Sequence, residues 1–382
     1  MKIISFLRKR IRPKILHNVY KRKKPKKKAM LGYLVEPFLI SNKSAQFRVH
    51  SNRKTNILLA EALDKCGYSV DIINYNDIES AKKISENYDL LLGLGLAFEY
   101  LVKEKPELFK KKIYFATGAP AEYQNSREQE RINYVNNKYK SQFNLVRKVS
   151  EDNRILDAID YVLILGTEYS KSLFANITTT ESEIISGHES VPEKFKFEKK
   201  EWKTAKKKFL FLTGSGKILC GLDLLIEIFS KNQDLELYLC GGFNGEEDFL
   251  SLFKTKLEKS PNIHLEGWVD TSSVEFHSIV RKCGAIIMPV VSSGVNGSVL
   301  IGMSYGLIPI LSKDCNVDIG GNGIMFEDIS EESIENAIGE YVKHDNKWFS
   351  KTSKAIFEFT SKEYSEKNFK ENLNKIFKKW NL

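Results

Sequence analysis

The sequence has 382 residues, of which 42% are hydrophobic and 28% charged, and this balance excludes a chain too polar to fold. No apolar run approaches the roughly 20 residues of a membrane-spanning helix, and the run at residues 3–7 is too short for the core of a secretory signal. The five cysteines are widely spaced among apolar residues. That spacing argues against a disulfide framework or a zinc site and indicates buried thiols in a reducing compartment such as the cytoplasm.

The net charge of +10 belongs to one end of the chain. Residues 1–28 contain 13 Lys and Arg and no acid, which leaves 46 basic against 49 acidic residues elsewhere. Apolar residues recur at near-helical spacing from Ile4 to Ile15, and aromatic residues for base stacking are scarce. We therefore predict that residues 1–30 form a basic tail that binds an anionic membrane surface or stays solvated, and no nucleic-acid partner is expected.

Strands and helices alternate through the first half of the chain. The apolar runs predict strands at residues 30–40, 69–75, 88–95, 111–118 and 157–167, with helices at 54–68 and 168–177. This alternation is typical of βαβ units with a parallel sheet, so residues 31–200 are predicted as one Rossmann-like domain. The charged, proline-containing stretch 192–208 is predicted as a linker.

A second alternating series follows, and residues 201–360 are predicted as a second Rossmann-like domain. Its strands are expected at residues 209–216, 235–242, 263–269, 284–292, 307–312 and 323–328. Its helices are expected at residues 222–232, 247–259, 272–283, 299–306 and 330–344, and a last helix at 361–380. The fold class is therefore α/β, with two tandem doubly wound domains that face a cleft.

Two glycine-rich segments of the second domain lie where ligands bind such sheets, beyond the carboxyl ends of strands. The first glycine loop (residues 212–217, LTGSGK) leads toward a helix, and its amides together with Lys217 could contact a phosphate. The second glycine loop (residues 292–298, SSGVNGS) precedes another helix, for which Ser298 is the expected N-cap. The alternative for both loops is a tight turn without a ligand, and Trp268 could stack on a base or belong to the core.

The order and spacing of these segments resemble the nucleotide-sugar-binding half of retaining glycosyltransferases of family 4, which have the GT-B fold. The resemblance covers residues 208–340 and rests on motifs at 214–216, 221–225, 262–270, 275–276, 297–310 and 317–324. It implies that residues 361–382 form a helix that crosses back to the first domain. It also implies a donor site, which comprises Gly214, Ser215, Gly216, Lys217, Trp268, Val269, Ser293, Asn296, Gly297, Ser298 and Val299.

The resemblance implies a function as well. It predicts a retaining transferase of the hexosyl type that moves a sugar from a nucleotide diphosphate-sugar to a glycan or lipid-linked acceptor in bacterial surface polysaccharide synthesis. No metal or other cofactor is expected. The enzyme would be cytoplasmic, with a peripheral place on the inner face of the membrane through residues 1–28. Weaker catalytic candidates near predicted strand ends are His50 and Glu122, for which the alternative is a solvent-facing side chain.

The sequence also departs from the family pattern. Ser293 and Ile301 stand where the family has two glutamates, and Ser215 and Cys220 stand where it has an arginine and a lysine. The alternative prediction is therefore a non-catalytic GT-B-fold subunit that supports another transferase. If the chain is an enzyme, the charge of the donor diphosphate must be balanced by Lys217, by helix dipoles or by arginines of the other domain.

Overall fold

The computed structural model describes residues 15–40, 51–145, 147–149, 153–188 and 197–382. Two sheets are present in these ranges, which confirms the α/β prediction of two Rossmann-like domains. The first sheet has the order β1-β3-β2-β4-β5-β6-β7, and only β1 runs antiparallel to its neighbour. Its strands are Ile15–Leu16 (β1), Lys27–Tyr33 (β2), Tyr68–Asn74 (β3), Tyr88–Gly93 (β4), Phe109–Ala116 (β5), Tyr161–Leu165 (β6) and Ser182–Ile185 (β7).

The second sheet is parallel throughout and has the order β10-β9-β8-β11-β12-β13. Its strands are Lys208–Leu212 (β8), Glu236–Cys240 (β9), Ile263–Gly267 (β10), Ala285–Met288 (β11), Ile308–Ser312 (β12) and Ile324–Phe326 (β13). All of their carboxyl ends therefore meet at one edge, as in other doubly wound sheets.

Helices cover both sheets. Those in the first half are Ser51–Lys65 (α1), Ile78–Ala81 (α2), Gly95–Glu104 (α3), Ala121–Tyr139 (α4) and Glu168–Ala175 (α5). Those in the second half are Trp202–Ala205 (α6), Leu222–Lys231 (α7), Glu247–Glu258 (α8), Val274–Lys282 (α9), Gly297–Ser304 (α10), Glu331–Lys343 (α11), Asn346–Glu363 (α12) and Glu366–Lys379 (α13).

The structure differs from the expected basic tail. Residues 1–14 lie outside the described residues, whereas Ile15–Leu16 and the residues from Lys27 onward are strands of the first sheet. Asp71 on β3 accepts hydrogen bonds from the His17 ring at 2.8 Å and from the Asn18 amide at 2.8 Å. These bonds hold the chain against the sheet because Asp71 itself is buried.

Other expectations need smaller corrections. The strand expected to run to residue 40 ends at Tyr33, and a 3-10 turn with Pro37 follows, since proline lacks the amide that a strand ladder needs. The last helix is two helices, α12 and α13, separated at Tyr364 and Ser365. Most of the expected linker is packed structure: α6 stacks its Trp202 on Phe349 with 5.2 Å between ring centroids, while residues 192–196 lie outside the described part.

Each half of the chain contributes one helix to the core of the other. Ile132 and Val135 of α4 are buried in the hydrophobic core of the second domain. In exchange, α13 repeats apolar residues at helical spacing and buries Phe369 and Phe377, together with Trp380 directly after the helix, in the core of the first domain. The two sheets are therefore held together by hydrophobic burial across the cleft as well as by the connecting chain.

His188, which follows β7, is buried where α1 and α13 meet, and the site predicts a loss of stability in acid. Its Nε2 lies 2.9 Å from the Thr55 hydroxyl, its ring is edge-on to Phe369, and Glu366 and Lys54 are the nearby charges. Burial lowers the pKa of His188 to about 4, so the unfolded chain binds this proton first. We expect that the free energy of unfolding falls by about 3 kcal/mol between pH 6.5 and pH 4 because of this residue.

The check is urea denaturation across that pH range for the wild type and His188→Gln. Glutamine keeps a hydrogen-bonding group near Thr55 but does not titrate. The wild type should therefore lose more stability than the variant as the pH falls. Equal losses would show that His188 does not carry the effect.

Candidate functional site

Three loops of the second domain meet at the carboxyl edge of its sheet. The amide of Thr213 donates to the Cys240 carbonyl at 3.0 Å, and the amide of Gly241 donates to the Gly267 carbonyl at 2.6 Å. A Cβ on Gly241, whose φ is +133°, would lie 1.8 Å from the Thr213 carbonyl oxygen. Only glycine fits at this position, and the close approach places the loops after β8, β9 and β10 side by side.

The hydrogen-bond donors at the end of the first glycine loop already have partners within the protein. The Glu246 carboxylate accepts from the amides of Gly216 at 3.1 Å and Lys217 at 2.7 Å. The Lys217 ammonium donates to the Gly242 carbonyl at 2.9 Å and lies 3.4 Å from Glu246 Oε2. Because Lys217 is only 1% exposed, its charge is already paired inside the domain, while Gly214 and Ser215 face solvent.

The second glycine loop presents free amides. Asn296, and not the expected Ser298, caps α10, because its side-chain oxygen accepts from the Val299 amide at 3.2 Å. Ser298 is the second residue of that helix. Among the described residues, none accepts a hydrogen bond from the amides of Gly297 or Ser298. The start of α10 can therefore receive an anion at two N–H groups, aided by the helix dipole.

An aromatic side chain stands beside these loops. Trp268 follows β10 and is 68% exposed, which answers the question whether it belongs to the core. A Cβ on Gly242 would lie 3.8 Å from the Trp268 Cβ, so Trp268 stands beside the loop that follows β9. Val269 is half-buried and packs against the core of the second domain. An exposed indole at a ligand-binding edge offers a stacking surface for a flat ring.

The first domain braces the second glycine loop. A Cβ on Gly294 would lie 1.9 Å from the carbonyl oxygen of Thr117, which follows β5. The Asn316 side chain donates to the Ser293 carbonyl at 2.5 Å and accepts from the Ser170 hydroxyl at 2.6 Å. The loop is therefore held between the two domains, at the mouth of the cleft.

Of the two catalytic candidates, the structure describes only Glu122. Glu122 is exposed in the first turn of α4. Its neighbour Tyr123 instead reaches across the cleft, with its hydroxyl 2.9 Å from Asp314 Oδ1 and 2.7 Å from the Tyr169 hydroxyl. His50 lies outside the described residues. The roles of His50 and Glu122 stay predictions.

A buried carboxylate and an arginine lie next to the second glycine loop. Glu128 of α4 is fully buried, and Arg147 donates to its Oε1 through Nε at 2.9 Å and through Nη2. The same Nη2 is 3.2 Å from the Ser292 carbonyl. Burial raises the pKa of Glu128, and the hydrogen bonds and charge of Arg147 oppose that rise.

Sequence reasoning missed Glu128, Arg147, Glu246 and Asp314, and it missed α4 altogether. The buried face of α4 carries Gln124, Asn125, Glu128 and Arg131 beside two apolar residues, so a hydrophobic period is nearly absent. The available signal was the absence of glycine and proline over residues 121–139.

No protein-family model matches the sequence, and no curated protein matches it significantly. Solved structures do match. Sucrose-phosphate synthase from Thermosynechococcus elongatus aligns with a TM-score of 0.64 at 12% identity, over 92% of this chain and 98% of that one. Anabaena HepE in complex with UDP aligns with a TM-score of 0.60 at 11% identity, over 92% and 100%.

A third structure is Staphylococcus aureus TarM in complex with UDP and α-GlcNAc-glycerol, with a TM-score of 0.52 at 14% identity over 81% of this chain and 60% of that one. These neighbours share the GT-B fold, and the similarity establishes that fold for the chain. Within the described ranges, no helix is long and apolar enough to cross a membrane, and no group of three or more His, Cys, Asp and Glu could hold a metal ion.

Proposed function

We propose that the chain is a glycosyltransferase whose donor is a nucleotide diphosphate-sugar bound at the carboxyl edge of the second sheet. The observation that carries the proposal is the pair of free amides at Gly297 and Ser298, on the same edge of the second sheet as the exposed Trp268. The amides suit a phosphate and the indole suits a nucleobase. The GT-B fold supports this reading, since HepE and TarM were solved with UDP.

The chemistry would be displacement at the anomeric carbon. The bond from that carbon to the terminal phosphate oxygen breaks, and the diphosphate leaves with the electron pair. A new bond forms to an acceptor hydroxyl, whose proton passes to the leaving phosphate or to water. The amides at the start of α10 would stabilise the charge that develops on the diphosphate, and the contact of Gly294 with Thr117 would keep water from the donor.

The finer details rest on the sequence resemblance. We propose a retaining transfer of a hexosyl group without a bound metal, to a glycan or lipid-linked acceptor in bacterial surface polysaccharide synthesis. Full activity in the presence of EDTA would confirm that no metal is needed. Analysis of the product linkage would decide between retention and inversion of the anomeric configuration.

The position of β1 supports a peripheral place on the inner face of the membrane. Ile15 pairs with Ile73 at the carboxyl end of β3, because β1 is antiparallel to that strand. Ile15 therefore lies at the edge of the first sheet that also faces the cleft. Residues 1–14 carry six Lys and Arg, and a membrane-bound segment attached there would keep the cleft beside lipid-linked acceptors.

A nucleotide panel tests the function. Isothermal titration with UDP and GDP should detect binding to the wild type, and Trp268→Ala should weaken it about tenfold, because base stacking contributes about 1–3 kcal/mol. Leu265→Ala is the matched control, since Leu265 is an exposed apolar residue on β10 that lies before the site. It should bind as the wild type does.

The alternative function makes the opposite prediction. A non-catalytic subunit that supports another transferase would bind neither nucleotide, and it would show no release of UDP or GDP from nucleotide-sugars. That result would contradict the proposal. Equally strong binding by Trp268→Ala would show that the nucleobase does not stack on the indole.

A further inference from the structure

The donor proposed above carries a diphosphate, and among the described residues of the second domain neither glycine loop has a free side-chain cation to offer it. Lys217 is buried and held by Gly242 and Glu246. Cys220 and Ser215 stand where related sequences are expected to have basic residues. The charge must therefore be balanced from elsewhere, because two backbone amides and a helix dipole neutralise only part of it.

We propose that Arg147, from the segment after α4 in the first half of the chain, supplies the cation for the donor diphosphate. Its Nη2 contacts the Ser292 carbonyl of the second glycine loop at 3.2 Å. Its charge also acts on Cys220, which ends the segment after the first glycine loop: burial raises the pKa of that thiol, and the Thr213 hydrogen bond and the Arg147 charge oppose the rise. Arg147 is therefore in direct contact with the second glycine loop.

The guanidinium still has donors to offer. Nε and Nη2 bind Glu128 and the Ser292 carbonyl, whereas Nη1 has no acceptor in the described part of the chain. The Arg147 side chain as a whole is 48% exposed. The buried Ser292 hydroxyl beside it also lacks a partner among the described residues. Nη1 therefore keeps donors that suit a phosphate oxygen.

Glu128 acts as the positioning residue. It is fully buried on α4, and its Oε1 fixes the orientation of the guanidinium. A flexible arginine on a loop would lose side-chain entropy when it binds a phosphate, and a guanidinium already held by a carboxylate loses less. Because α4 packs into the core of the second domain, this pair stays in place relative to the second glycine loop.

The test compares a nucleoside diphosphate with its nucleoside. UDP and uridine, or GDP and guanosine if the wild type prefers GDP, are titrated by calorimetry. We expect Arg147→Ala to weaken binding of the diphosphate about 10- to 100-fold, as for the loss of a charge-assisted hydrogen bond. Binding of the nucleoside should weaken less than twofold. Arg147→Lys should recover part of the loss, since it restores the charge without the planar fork.

Glu128→Gln reports on positioning. It should weaken binding of the diphosphate less than Arg147→Ala does and leave the affinity for the nucleoside unchanged. Lys138→Ala is the matched control, because it removes a cation of α4 that pairs with Glu331 across the domains, away from the glycine loops. It should leave both affinities within twofold of the wild type. Melting temperatures of all variants show that they fold.

The outcomes separate this inference from the proposed function on which it rests. If the wild type binds no nucleotide, the proposed function fails. If the wild type binds the diphosphate and Arg147→Ala binds it equally well, or loses the nucleoside to the same degree, the role of Arg147 is wrong and the function stands.

Discussion

Arg131→Ala is expected to lower the free energy of unfolding by about 3–5 kcal/mol, the range for one partner removed from a buried ion pair. Arg131 of α4 pairs with Asp223 of α7, and both side chains are almost wholly buried. Arg131 Nε also donates to the Ile218 carbonyl at 3.3 Å. Burial raises the pKa of Asp223 and the Arg131 charge opposes that rise, so the variant leaves a carboxylate in the interior without its cation.

Urea denaturation followed by circular dichroism measures the effect. Lys138→Ala is again the matched control. Breaking the more exposed pair of Lys138 with Glu331 should lower the free energy of unfolding by less than about 1 kcal/mol. The double variant Arg131→Met, Asp223→Leu should recover most of the stability, since it leaves no unpaired charge. A loss below 1 kcal/mol in Arg131→Ala would contradict the assignment of this pair to the interdomain core.

Gly294→Ala is expected to reduce sugar transfer about 100-fold while both domains stay folded. The new methyl group would meet the Thr117 carbonyl oxygen at 1.9 Å, and the backbone on both sides cannot move out of the way cheaply. The second glycine loop must then shift away from the first domain by a large part of an ångström. A shift of about 1 Å in bound groups is enough to cost about 100-fold in rate.

The measurement is the rate of nucleotide release from the donor that the titrations identify, with circular dichroism to confirm folding. Gly339→Ala is the matched control, since Gly339 lies within α11 and a Cβ there would meet nothing within 4 Å. Alanine in a helix should be neutral or slightly stabilising. A Gly294→Ala variant that keeps a third or more of the wild-type rate would show that the contact with Thr117 is not needed for transfer.

Much of the architecture could be read from the sequence, because strands and helices of a doubly wound domain are specified by local patterns. The apolar runs around β8, β9 and β11 and the helical spacing in α7 and α9 depend only on residues a few positions apart. The glycines at strand ends likewise marked the edge where ligands bind. Trp268 and the second glycine loop could therefore be placed at that edge from the sequence, because each comes directly after a predicted strand.

The same local reasoning did not find α4, whose buried face is largely polar. Glu128 is buried there with hydrogen bonds from Arg147, and Arg131 is buried there in an ion pair with Asp223. A sequence pattern cannot show that a charged residue has a partner 19 or 92 positions away. For that reason the polar lining of the cleft was missed, although the fold that contains it was predicted.

The amino-acid sequence by itself determined the two parallel sheets, the basic N-terminal region and the glycine-rich helix starts, since each is a property of neighbouring residues or of composition. The tertiary structure decided which of those features are free to bind. Lys217 looked like a phosphate ligand from its place in a glycine loop, but Glu246, 29 residues further on, takes its amide and its charge. Arg147 carried no motif, yet the packing of α4 across the domains brings it to the second glycine loop. Whether a charge is spent or available depends on distances between residues far apart in the chain, and only the folded molecule sets those distances.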